Sequence, residues 1–216
     1  MRTEVRYRVA VAGADLRMLV LAPQPDGCVG IDLDSGAFVR ALFPPGGEPL
    51  EAFDVTSAPI GDPLDPPDTV RPEAVALTGP PRRVGSLSSR RAERYLQALR
   101  HPPHGPLLGF AGVTVPYWTV AGDRPSLALL EPTEGPLILA GPGGFDCRFG
   151  WNGTVAQLPL GDRQLATDLY RLRRRRSSPR ELTRILGFRP GRLLVVVAGP
   201  VDGHCTKQVA ALLPGR

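Results

Sequence analysis

Lysine is almost missing from this chain: Lys207 is the only one among 26 basic residues, and the rest are arginines. With 25 glycines and 25 prolines in 216 residues, that imbalance has the look of a GC-rich coding sequence. The formal charge of +5 therefore says less about function than the way the charge is distributed. Cysteine is also scarce. Cys28, Cys147 and Cys205 form an odd set without CxxC spacing, unlike a secreted disulfide framework. Each lies in or beside an apolar run, where a thiol behaves as a small hydrophobe. No apolar run reaches the roughly 20 residues of a membrane span, and Met1–Arg6 lacks the apolar core of a secretory signal. These absences lead to the expectation of a cytoplasmic protein with no membrane partner.

What is abundant is strand signal. Residues 105–160 are a series of short Val-, Leu-, Ile- and aromatic-rich runs cut by Gly and Pro, the pattern of a central β block. Turns are expected at Gly122-Asp123, Thr133-Glu134-Gly135, Gly141-Pro142-Gly143-Gly144 and Asn152-Gly153. The last is the firmest, since Asn-Gly tolerates the positive φ angles of a type I′ hairpin. Residues 4–43 read as an N-terminal meander, opening with alternating Val5, Tyr7, Val9 and Val11. Residues 44–72 hold eight prolines among Glu48, Glu51, Asp54, Asp62, Asp65 and Asp68. This acidic stretch is expected to be a surface excursion with, at most, a short edge strand at 52–55.

Helices are predicted at three places. Ser89 is placed as the cap of a helix running to Arg100, with Ala92, Tyr95, Leu96 and Leu99 inward. Asp162 caps a second, with Leu165, Ala166, Leu169, Tyr170 and Leu172 as its buried stripe. Ser178-Pro179-Arg180-Glu181 is a capping box opening a third, which Gly187 ends. Residues 162–187 thus form a basic helical pair, and 192–213 a C-terminal hairpin whose run Leu193–Ala198 is buried on both faces. The fold class expected is α+β within one compact domain over 1–216: mainly antiparallel β, barrel- or sandwich-like, with about three helices packed on one side. Residues 18–44 and 193–214 also echo one another, each an apolar strand, an Asp-Gly turn, a cysteine, a second strand and an Ala-Leu-x-Pro exit. Duplication and convergent hairpin chemistry both account for this.

Chemistry is sparsely signalled. No G-x-S-x-G elbow occurs. His204 and Cys205 are neighbours on a strand and point apart, so a Cys–His pair would need His101 or His104 brought to Cys205. His101-Pro102-Pro103-His104 in polyproline geometry puts both rings on one side. With His204 or Cys205 they are the candidate metal ligands, although a proline break after a helix explains the same residues. Asp32-x-Asp34-x-Gly36 lacks the later ligands of a calcium loop. No cofactor is expected.

The most specific local feature is the arginine run. Arg171, Arg173, Arg174, Arg175 and Arg176, with Arg180 and Arg184 beyond, gather positive charge at the junction of the last two helices; Arg163, Arg189 and Arg192 flank it. Guanidinium groups form bidentate bonds with carboxylate and phosphate, so an acidic protein surface or nucleic acid is the expected partner. A solvated helix end is the plainer explanation. The sequence favours a non-catalytic interaction or accessory module working through these seven arginines. The alternative is a small enzyme with a pocket between the central strands and the helices, using His101, His104, Cys205, Tyr117 or Trp118.

Overall fold

The alternation of Leu16, Met18 and Val20 puts apolar side chains on one face of a strand, and these residues do form one, β1 (Asp15–Gln24). The computed structural model describes residues 11–101, 105–120 and 124–215; these hold fourteen strands and three α-helices. Val5, Tyr7 and Val9 of the expected first strand, the Gly122-Asp123 turn and His104 lie outside the described residues. The architecture is α+β and mainly antiparallel, as the sequence indicated. The chain divides into two compact units: the first runs to Leu99 and takes in Trp118–Ser126, and the second holds Arg100–Tyr117 and the chain from Leu127 onward.

In the first unit β1 turns into β2 (Gly27–Asp32) and β2 into β3 (Phe38–Leu42), all antiparallel. β4 (Asp54–Pro59) adds to the other side of β1, and β5 (Ala74–Ala76) lies parallel to β3. β6 (Arg82–Ser86) closes the order β5-β3-β2-β1-β4-β6. Here the expectation for residues 44–72 needs correction. The strand in that segment is longer than 52–55 and is interior, flanked by β1 and β6. Its proline, Pro59, stands beyond Ser57, the last residue that β6 pairs with, so the strand has an edge there. Leu16, Met18, Val20, Cys28, Val39, Ala41, Ile60 and Val75 fill one core. The carboxylates of Asp32 and Asp54 serve structure: Asp32 accepts from the turn N–H groups of Asp34 and Ser35, and Asp54 meets Arg83 at 3.0 Å. Asp68 and Asp26 both hold Arg71, at 2.6 and 2.8 Å.

α1 (Ser89–Ala98) begins one residue earlier than expected. Ser88 is the cap, its hydroxyl accepting from the Arg91 N–H at 3.4 Å, while Ala92 and Leu96 are buried. A buried polar cluster ties the returning segment into this unit. Arg40 on β3 is 2% exposed; its guanidinium lies 3.4 Å from Glu73 and 3.2 Å from the Ser126 hydroxyl. Ser126 in turn donates to Glu73.

The second unit holds two four-stranded sheets. In one, β9 (Glu134–Gly141), β10 (Gly144–Trp151) and β11 (Thr154–Pro159) form a meander. The two-residue turn between β10 and β11 is Asn152-Gly153, with φ angles of 52° and 71°, as type I′ geometry requires. Glu134 and Gly135, expected in a turn, open β9 instead. In the other sheet β13 (Pro190–Val201) and β14 (His204–Pro214) pair centrally, with β8 (Leu127–Leu130) and β7 (Thr114–Pro116) outside them. Of the expected run Leu193–Ala198, Leu193–Val197 is buried throughout and Ala198 is half-buried; a run with no polar alternation suits a strand covered on both faces.

The echo between the chain ends has a structural counterpart. β1–β2 and β13–β14 are each the central pair of their own sheet, and Cys28 and Cys205 are both fully buried. A second likeness is visible only in the strand order. Each unit contains a three-stranded meander whose first strand receives a later strand on its free side: β4 on β1, and β12 (Arg176–Ser177) on β9.

Candidate anion-docking surface

Asp162 accepts from the Leu165 N–H at 2.9 Å and starts α2 (Arg163–Arg171). Leu165 and Leu169 are buried, as their spacing requires. The rest of the expected stripe departs from prediction: Tyr170 is 62% exposed and Leu172 is 51% exposed. For Leu172 the reason is the way the helix stops. Arg173 takes a φ of 51°, in the left-handed region; its N–H bonds the Tyr170 carbonyl and the Arg174 N–H the Leu169 carbonyl, each at 3.0 Å. That pair of bonds is a Schellman ending built without glycine. Leu172 is thereby left as the C-cap at the end of the helix, while Tyr170, inside the last turn, stays largely exposed.

The chain then runs out along the sheet. The Arg175 carbonyl accepts from the Ala140 N–H at 2.8 Å, and Arg176 and Ser177 pair with Leu139 and Ile138. Ser177 is buried, and its hydroxyl finds no hydrogen-bond partner among the described residues. Arg171 and Arg173–Arg176 are all exposed. α3 (Pro179–Leu186) follows at once, with both halves of the expected capping box present and Gly187 ending it at φ 74°. The Ser178 N–H and hydroxyl, then Arg174 and Arg184, hold the Glu181 carboxyl below the usual range.

Two of the seven candidate arginines are committed within the chain: Arg174 to Glu181 at 3.1 Å, and Arg171 loosely to Asp168 at 3.9 Å. Arg184 lies in the field of Glu181. Arg173, Arg175, Arg176 and Arg180 make no ion pair with a carboxylate among the described residues. Arg192, which in sequence belongs to the same concentration of charge, is turned inward. It is buried against Glu131, which also binds Arg100. Burial would raise the Glu131 carboxyl, but the two arginines outweigh it and hold the carboxyl below its ordinary value.

An arginine at positive φ is strained, by about 1 kcal/mol relative to glycine. Arg173→Gly is therefore expected to raise the unfolding free energy by about that amount, measured by denaturant titration, while removing one exposed cation. A loss of stability would show that the Arg173 side chain, and not its backbone geometry, matters for folding.

Of the histidine and cysteine candidates, His104 lies outside the described residues, and His101, His204 and Cys205 have these surroundings. His101 packs edge-on against Trp151 at 5.5 Å, and Cys205 is buried opposite Val115. The His204 ring meets the Asp202 carbonyl at 3.0 Å. Burial pushes the Cys28 and Cys147 thiols up to about 12. No group of three metal-ligating side chains occurs among the described residues. Two surface grooves of about 330 and 450 Å³, both in the first unit, are lined by neither histidine nor cysteine. Tyr117 and Trp118 are exposed on a short turn. None of the helices among the described residues is long and apolar enough to cross a membrane. Comparison of the chain with family models, curated proteins and solved structures gives no match.

Proposed function

We propose that this chain is a non-catalytic interaction module that engages a polyanionic partner through the arginine junction of its second unit. The observation that carries the reading is the set of four exposed guanidinium groups, on Arg173, Arg175, Arg176 and Arg180, without a carboxylate partner among the described residues. Solvated helix ends often carry one or two cations that complement the helix dipole. Here the cations continue past the dipole's reach, through the Schellman turn, along β12 and onto α3, where Glu181 already serves the helix start. Two exposed apolar side chains, Tyr170 and Leu172, sit at the head of the run, and aromatic residues and arginine are the types that concentrate in binding interfaces.

The test is a charge reversal, Arg173→Glu with Arg175→Glu and Arg176→Glu. Binding to poly-glutamate and to a single-stranded oligonucleotide is followed by fluorescence anisotropy at several salt concentrations. The wild type should bind at least one of them with an affinity that falls as salt rises. The variant should keep the wild-type circular dichroism and bind at least tenfold more weakly. Wild-type protein that binds neither probe would overturn the proposal, as would a variant that binds equally well.

A further inference from the structure

The register of the meander sheet bears on what kind of polyanion the junction accepts. Arg175 lies opposite Ala140, and Ala140 pairs with Phe145, so these three form one row across β12's end, β9 and β10. Tyr170 packs over that row, its ring centroid 4.7 Å from that of Phe145. Its hydroxyl lies against Gly144, which has no side chain to cover it. Arg176 belongs to the next row, with Leu139 and Asp146. Successive residues of an extended strand point to opposite faces of a sheet. The Tyr170–Arg175 side and the Arg176 side are therefore two different faces, and they meet at β12.

β12 is the terminal strand of its sheet and is paired on one side only, to β9; Ser177 is buried, so the exposed part of that edge is Arg176 with Arg175 before it. A ligand lying flat on either face reaches only part of the junction. A strand added at the β12 edge reaches both, because its own side chains alternate in step with Arg175 and Arg176. Strand addition is open to polypeptide and closed to nucleic acid, whose backbone cannot continue the ladder of N–H and C=O groups. Leu172 points the same way, since an aliphatic side chain offers nothing to a phosphate but suits an apolar partner residue. The start of α3, where a phosphate would gain most from the helix dipole, is already filled by the Glu181 carboxylate.

Resting on the module reading above, we infer that the partner is an extended acidic polypeptide segment that adds to the β12 edge. It places a large apolar side chain on Tyr170 and Leu172, and carboxylates on Arg173, Arg175 and Arg176.

Four probes of equal length test this against the full chain. They are a peptide alternating glutamate with leucine, the same residues in block order, the alternating peptide with every second amide N-methylated, and a single-stranded oligonucleotide. The alternating peptide should bind at least tenfold more tightly than each of the other three. Tyr170→Ser with Leu172→Ser should weaken it about tenfold while leaving circular dichroism unchanged, since both side chains are exposed. Equal affinity for the N-methylated peptide would overturn strand addition. An oligonucleotide that binds more tightly than any peptide, and is released by the arginine reversal, would overturn the inference and leave the module reading standing. If the wild type binds no probe, both fall.

Discussion

Glu73→Ala is expected to destabilise the first unit by about 3–5 kcal/mol, the usual result of stranding one member of a buried ion pair. Arg40 is 2% exposed and faces Glu73 and Ser126, and burial lowers its affinity for a proton, an effect that the Glu73 charge opposes. Without Glu73 the guanidinium loses its facing carboxylate in a buried site, while its contact with the Ser126 hydroxyl stays. The N–H and hydroxyl of Ser126 also lose their acceptor, so the hold on the returning Trp118–Ser126 segment weakens with the pair. Urea titration followed by circular dichroism reads the loss directly. A double change, Arg40→Met with Glu73→Leu, should recover most of it, because apolar replacements of similar volume remove the stranded charge. A single variant that loses less than about 1 kcal/mol would show that water reaches the guanidinium.

Lys207 gives the second large effect, and its sign depends on pH. Its ammonium donates to the carbonyls of Phe110 and Gly112 at 2.6 and 2.9 Å and lies 3.9 Å from the centre of the Phe110 ring. Burial pushes the amine down to about 8, whereas an unfolded lysine holds its proton to about 10.4. Below pH 8 both states are protonated and Lys207 contributes no slope. Between the two values the unfolded chain binds more protons, so the contribution of Lys207 to stability rises with pH. The buried thiols act in the opposite direction: Cys28 and Cys147 keep their protons when folded, and that stabilisation is lost as unfolded thiols ionise above about 8.5. Comparison with Lys207→Met isolates the lysine. The variant leaves two carbonyls without a donor, a loss of about 1–3 kcal/mol, and the gap should widen from pH 7 to pH 9.5. A gap that narrows would mean that the carbonyls and the ring hold the ammonium more strongly than burial expels it.

Much of the fold was readable residue by residue. The Asn152-Gly153 hairpin, the Ser178–Glu181 capping box, the Gly187 stop and the doubly buried Leu193–Val197 run all depend on local chemistry, and all are where that chemistry puts them. The misreadings share a cause. Tyr170 and Leu172 continue the periodicity of α2, but burial needs something opposite: Leu172 falls at the C-cap beside the left-handed turn, and Tyr170 meets the Phe145 ring and is otherwise exposed. Arg192 looked like part of the basic run, yet its long stem reaches inward to Glu131, a partner 61 residues away. For β4 the surrounding prolines suggest only a short edge strand at 52–55, although just the last of its six residues is a proline.

By itself, then, the sequence determined the antiparallel class, the Asn152-Gly153 hairpin, the start and stop of α3, and the concentration of arginines at one junction. These depend on φ preferences, capping hydrogen bonds and apolar periodicity, which act over a few residues. The tertiary structure alone decided which of those arginines are already spent, that Tyr170 and Leu172 stay in solvent beside them, and that Arg175 and Arg176 straddle a strand edge. Those outcomes depend on pairings such as β12 with β9 and Arg192 with Glu131. Partners of that kind come from distant parts of the chain, and no local pattern encodes which of them will meet.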